Sequence, residues 1–158
     1  MVHLSSSSDV KLFDIFELRN KIGDKRCLGL PFFHAFTGCD STSSFFQHGK
    51  CKFWDTWLAS NESLTDTFID LSNQPTSISD EDFKLIQVFL MKVYCHEKYT
   101  TFLDINDARI KSFFQSPDPK LWTTILSKNG LLKHTKRASL RGGWLWKECE
   151  MEVEDQDP

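Results

Sequence analysis

Two short clusters, Gly38-Cys39-Asp40 and Gly49-Lys50, carry residue types suited to metal or phosphate chemistry. A carboxylate at the mouth of a glycine turn is a reasonable ligand for a hard divalent cation, because Mg²⁺ takes one or two carboxylates and keeps its waters. One carboxylate is not a site, and the competing reading of Asp40 is the N-cap of a helix opening at Ser41 or Thr42. Gly49 at a helix start would let backbone N–H groups approach a phosphate, with Lys50 adding charge, and an ordinary turn is the alternative. A third candidate is a block of charge. Residues 128–147 hold Lys128, Lys133, Lys136, Arg137, Arg141 and Lys147 with no acid. Residues 148–158 hold Glu148, Glu150, Glu152, Glu154, Asp155 and Asp157 with no base. The two blocks cancel within a net charge of −3, so a polyanion would meet the basic one.

Other reactive side chains have structural readings. His34 lies in an apolar run and is expected to be a hydrogen-bonded core histidine. Cys39, His48 and Cys51 do not match structural zinc spacing. Cys95-His96 lacks an evident partner for a thiol nucleophile, and a buried cysteine is commonly a small hydrophobe. Trp144 and Trp146 are expected to dock the chain onto the body, with base stacking as the alternative.

The elements that must position these residues read as helices. Ile15, Phe16, Leu18 and Ile22 recur at helical spacing and stop at Gly23. Lys25 to Thr37 is apolar on nearly all sides, which predicts a buried helix entered or kinked at Pro31 and closed at Gly38. Phe53, Trp54, Trp57 and Leu58 follow a helix start at Gly49 or Lys50. Leu64, Phe68, Ile69 and Leu71 mark another helix, ended by Gln74-Pro75. Ser79 with Asp82 forms a capping box ahead of Phe83, Ile86, Phe89, Leu90, Val93 and Tyr94, an amphipathic stripe running to about His96. Asn106 to Phe114 predicts a helix with Ile110, Phe113 and Phe114 inward. The last is a basic helix from Lys128 to Arg141, with Leu131, Leu132, Thr135 and Ala138 on one face and Gly142-Gly143 ending it. No long stretch alternates with period two, so the expected fold class is all-α, an irregular multi-helix bundle.

The 158 residues are about one domain's worth, and 40% hydrophobic with 14 Phe and 5 Trp suffices for a core. No apolar run reaches the roughly 18–20 residues of a membrane span, and the start lacks the apolar segment of a signal peptide. A soluble, intracellular protein without a membrane partner is expected. Five cysteines without a CxxC pair fit reduced thiols. The expected organisation is an unstructured start at 1–9, a helical domain at 10–146, and an acidic, disordered tail at 147–158.

Gly38-Cys39-Asp40, followed after a short loop by Gly49-Lys50 and an aromatic helix, resembles the G-C-D-Y…G-I-G-P-K stretch of the flap endonuclease superfamily of PIN-like nucleases. The longer string LPFFHAFTGCDSTSSFF is similar to a group of uncharacterised, transposon-associated animal proteins with the same nuclease-like core. In that group the block precedes segments resembling FKLIQVFLMKVY and INDARIKSFF, then a basic helix matched here by Leu131, His134, Lys136, Arg137, Ala138, Gly143 and Trp146. The resemblance spans roughly residues 14–146 in one order.

It implies that Asp40 matches a ligand of one of two catalytic Mg²⁺ ions. It also implies that Gly49 and Lys50 match the second glycine and the lysine of a helix-hairpin-helix-like turn that holds duplex DNA. Gln47 replaces the first glycine of that turn, and Ser41 stands at the tyrosine. The family's other acidic ligands, including a D-x-D pair, belong to a parallel sheet upstream, where this sequence has Asp9, Asp14, Glu17 and Asp24, none paired as D-x-D. The resemblance therefore implies the helical portion of such a nuclease without its sheet. The expected function is sequence-independent binding of duplex DNA, in the nucleus, through Gly49, Lys50, Lys133, Lys136, Arg137 and Arg141. No catalysis and no cofactor are expected of this chain, with Asp40 a partial metal ligand and Mg²⁺ required only by a complete site. The alternatives are a helical protein-interaction module using the basic helix or acidic tail, and part of an active Mg²⁺-dependent nuclease within a longer product.

Overall fold

Fourteen phenylalanines and five tryptophans are most readily buried around a helix that is apolar on nearly every side, and residues 24–36 provide one. The computed structural model describes residues 2–6, 9–46, 48–74, 77–95, 100, 102–115 and 125–145. Its body is all-α, with α1 (Ile15–Ile22), α2 (Asp24–Phe36), α3 (Lys50–Leu58), α4 (Glu62–Asn73), α5 (Asp80–Cys95), α6 (Ile105–Gln115) and α7 (Lys128–Ser139), the last running into a π-helical turn, Leu140–Leu145. Ahead of α1, Val2–Ser6 (β1) and Asp9–Phe13 (β2) pair antiparallel, with Val2 opposite Phe13 and Ser6 opposite Asp9. The unstructured start expected at 1–9 is corrected to that extent: a short hairpin satisfies its backbone groups within itself and needs no long alternating run. The acidic segment 147–158 lies outside the described residues.

The core forms where α2 meets α3, α4 and α5. Phe32, Phe33 and Phe36 of α2 are buried with Phe53, Trp57, Phe68 and Phe89. Phe33 stacks on Trp57 with ring centres 4.9 Å apart, Phe68 meets Phe89 edge-on at 5.4 Å, and the Trp57 indole N–H donates to Thr65 Oγ1 at 3.0 Å. Each such ring contributes about 1.5–3 kcal/mol on leaving water. α5 starts at the expected cap: Ser79 Oγ accepts from the Asp82 N–H at 3.0 Å and donates to Asp82 Oδ2 at 2.7 Å. Asp82 Oδ1 accepts from Thr67 at 3.0 Å, so the same carboxylate ties α4 to α5.

Three local expectations change. Pro31 lies inside a continuous α2 and does not open it. On α6 the buried residues are Ile105 and Ala108, whereas Ile110 and Phe114 are 55% and 79% exposed and Phe113 is exposed too. Ile110, Phe113 and Phe114 fall on the far side of the helical wheel from Ile105 and Ala108. Periodicity finds an apolar stripe but does not say which side the body takes. The helix of α7 does not stop at Gly142-Gly143 but widens into the π turn through them. A Cβ on Gly142 would stand 2.6 Å from the Pro31 carbonyl oxygen, and Gly143 lies as close to the Ser72 backbone. The glycines let this turn press directly on the α2 and α4 backbones, the kind of backbone approach only glycine allows.

Candidate nucleic-acid interface

The structure separates the sequence-predicted site residues into two groups, one at the end of α2 and one along α7. At the end of α2 the chain reverses at Gly38, whose φ of +105° suits glycine and whose Cα lies so near Ser44 that a Cβ would stand 2.6 Å from the Ser44 Cα. The Cys39 N–H donates to the Thr42 carbonyl at 3.1 Å, and the Thr42 hydroxyl donates to the Ala35 carbonyl at 2.5 Å. Ser41 and Thr42 therefore begin no helix, and the reading of Asp40 as a helix cap is corrected: the next helix opens at Lys50. Asp40 itself is 83% exposed at its side chain and faces Arg141, whose guanidinium lies 3.8 Å away. Phe45 turns inward from this loop and packs on Phe36, Phe53 and His134.

Gly49 and Lys50 do open α3, as expected. Gly49 has an ordinary φ of −79°, and a methyl group added to it would meet no neighbour within 4 Å, so this backbone does not itself demand glycine. The Lys50 ammonium turns back on α2, donating to the His34 carbonyl at 3.1 Å and to Thr37 Oγ1 at 3.3 Å, with His34 Nδ1 at 3.1 Å. A cation there meets the negative end of the α2 dipole. Partial burial holds Lys50 below its usual range, with the Cys39 thiol opposing. His34 is exposed on α2, not in the core as expected. Burial and the Lys50 charge lower its pKa, and Asp40 works against them.

These neighbours do not fit a divalent-cation site. Asp40 brings one carboxylate beside a guanidinium, and among the described residues no group of three or more His, Cys, Asp or Glu converges. Three of the upstream acids have local tasks: Asp14 caps α1 by accepting from the Phe16 N–H at 2.8 Å, Glu17 pairs with Lys21, and Asp24 with Arg19. Two of the thiols shift in opposite directions. Burial raises Cys95 against a hydrogen bond from Ser112. At Cys39 burial pushes up, and hydrogen bonds with Ser41 and Thr42 bring the net shift down.

Along α7 the sequence separates its charges from its core by periodicity alone. Ser127 caps the helix, its hydroxyl oxygen accepting from the Gly130 N–H at 3.2 Å, and the Lys128 N–H donates to Asn106 on α6 at 2.9 Å. Leu131, Thr135 and Ala138 are buried as expected and Leu132 is half-buried. His134, 5% exposed, joins them, and its Nε2 lies 2.7 Å from the Phe36 carbonyl oxygen. An apolar run in sequence points to His34 as the core histidine, yet His134 falls three residues after Leu131 and four before Ala138, the spacing that marks the inner face. Burial lowers its pKa, the Phe36 hydrogen bond opposes, and the Arg137 charge adds to the lowering.

Lys133, Lys136 and Arg137 occupy the outer face of α7, all exposed. Among the described residues none of the three forms an ion pair. Arg141, one turn on, differs: it is 29% exposed, its Nε is buried without a hydrogen-bond partner, and its guanidinium faces Asp40. Beside this face, between the Ser43–Phe46 loop and α7, lies a cleft of about 310 Å³ with Arg137 and His134 in its wall. Trp146 and Lys147 fall outside the described residues, as does the side chain of Trp144. No helix among the described residues is long and apolar enough to cross a membrane. Compared with protein-family models, curated proteins and solved structures, the chain matches none.

Proposed function

We propose that this chain binds the phosphate backbone of duplex DNA without sequence preference, through Lys133, Lys136 and Arg137. One observation carries the reading: three cations share the outer face of a helix whose inner face is buried, and none of them is neutralised by a carboxylate among the described residues. Such a face offers charge at fixed spacing, which suits contacts to phosphate that fix position without carrying sequence information. Of the other expected contacts, Lys50 and Arg141 contribute charge to the local field while turned toward α2 and Asp40, and Gly49 adds no charge. The resemblance to the helical part of flap-endonuclease-like, transposon-derived proteins supports the same polyanion and a nuclear setting. Binding is proposed without cleavage, because the acids described near Asp40 do not assemble a two-metal site.

Titration of the full chain with labelled duplexes of unrelated sequence tests this. Equal affinities are expected, with log K falling against log salt at a slope of about −3 for three phosphates neutralised. Lys136→Glu with Arg137→Glu should weaken every duplex alike. Sequence-dependent affinity, or no salt dependence, would refute it, as would metal-dependent cleavage lost in Asp40→Ala. A protein-interaction role is the second reading, favoured by the exposed Ile110, Phe113 and Phe114 on α6.

A further inference from the structure

We propose that residues 148–158 of this chain dock along the basic face of α7, with their acidic edge against Lys133, Lys136 and Arg137. Four observations lead there. The first is a pattern. Glu148, Glu150, Glu152 and Glu154 alternate strictly with Cys149, Met151 and Val153. In an extended segment that alternation sets four carboxylates on one edge and three apolar side chains on the other, since successive side chains point to opposite faces. Solubility alone would need the acids but not the alternation.

The second is the receiving surface. The three α7 cations are exposed and form no ion pair among the described residues. Lys133 lies about one helical turn, roughly 5 Å of rise, from the adjacent pair Lys136 and Arg137, against about 6.6 Å between alternate residues of an extended chain, so two neighbouring carboxylates can face the two ends of this cluster. The third is the seat beside it. The cleft of about 310 Å³ next to Arg137 is walled by Phe46, which is 55% exposed, and by Leu126. It offers apolar surface to the second edge of the same segment. The fourth is reach. The π turn ends at Leu145, three residues before Glu148. An extended residue spans about 3.3 Å against 1.5 Å of rise per residue along α7, so the segment can run back past Lys133.

This docking needs no nucleic acid, and it can hold or fail independently of DNA binding. If both hold, these carboxylates compete with phosphate for one face.

Carbodiimide coupling of the full chain is the test, because it joins a carboxylate to an amine in contact with it. Amide links from Glu148, Glu150, Glu152 or Glu154 to Lys133 or Lys136 are expected within single chains, at a yield independent of protein concentration. The yield should fall roughly tenfold between about 0.01 and 1 M salt, as the screening length drops from about 30 to 3 Å. Replacing Glu148, Glu150, Glu152 and Glu154 by Gln should abolish the links while circular dichroism shows the helices intact. Links spread evenly over Lys21, Lys52 and Lys92, or no links at all, would overturn the proposal. Covalent dimers that grow with protein concentration would overturn it in favour of a second copy as the occupant.

Discussion

The end of α2 and α7 each carry cations and a histidine, yet the fold treats them oppositely. At the end of α2, Lys50 is drawn onto the His34 carbonyl and Thr37, and Asp40 faces Arg141. On α7, Lys133, Lys136 and Arg137 point away from the body, and the histidine, not the cations, goes inside. A lysine next to a free helix terminus finds unsatisfied carbonyls within reach, whereas the last α-helical turn of α7, which holds Lys136 and Arg137, has its carbonyls taken by the chain running on into the π turn. Position relative to helix ends therefore decides which cations remain available to a partner, more than their number does.

Phe36 touches both regions, packing on Phe45 of the loop and on His134 of α7 with ring centres 5.1 and 5.2 Å apart. Phe36→Ala should have the largest effect, about 3–5 kcal/mol, in a single urea transition. Two separate transitions would show that the regions fold as independent units. Next comes Gly142→Ala, whose new methyl would meet backbone atoms of Pro31 and so should cost about 1–3 kcal/mol. A urea midpoint equal to wild type would mean that the π turn does not press on α2 as described.

The two histidines sharpen the comparison through pH. Both have folded pKa values below the unfolded one, His134 through burial first and His34 through burial and Lys50. The unfolded state then binds protons that the folded state refuses. Stability from each is present above an unfolded pKa of about 6.5 and is lost as pH falls below it. His134→Gln should flatten the stability slope just below that pH more than His34→Gln does, because His134 is buried and His34 exposed. An equal change in both would remove the distinction. The smallest effect belongs to Lys50→Met, which should lower stability by about 0.3–1 kcal/mol and leave DNA affinity within twofold or so of wild type, on the scale of a single screened contact. A loss of affinity matching Lys136→Glu with Arg137→Glu would return Lys50 to the interface.

Much of the helical fold is legible in the residues themselves. Gly23 closes α1 and Ser79 with Asp82 starts α5, because caps act on backbone groups only a few residues away. The stripe Phe83, Ile86, Phe89, Leu90 and Val93 is buried as its spacing implies. The α6 stripe is equally periodic, yet Ile110, Phe113 and Phe114 face outward, since the packing of α6 on α5 selects the Ile105–Ala108 side. Likewise Gly142-Gly143 reads locally as a helix stop, and only the backbones of Pro31 and Ser72 beside the pair explain why the helix widens there instead.

For the candidate site, the sequence by itself determined that bases gather at 128–147 and acids at 148–158, because charge is a property of residue type. It also determined, through the three- and four-residue spacing of Leu131, Thr135 and Ala138, that one side of α7 is buried. Tertiary structure alone decided that His134 and not His34 is the core histidine, that Thr42 folds back onto α2 instead of starting a helix, and that Lys50 closes the α2 terminus. Those outcomes depend on carbonyls and rings brought together from segments as much as 98 residues apart, as for His134 and Phe36. Local periodicity carries no information about such partners, since the burial of a polar group is set by whatever distant atom satisfies it.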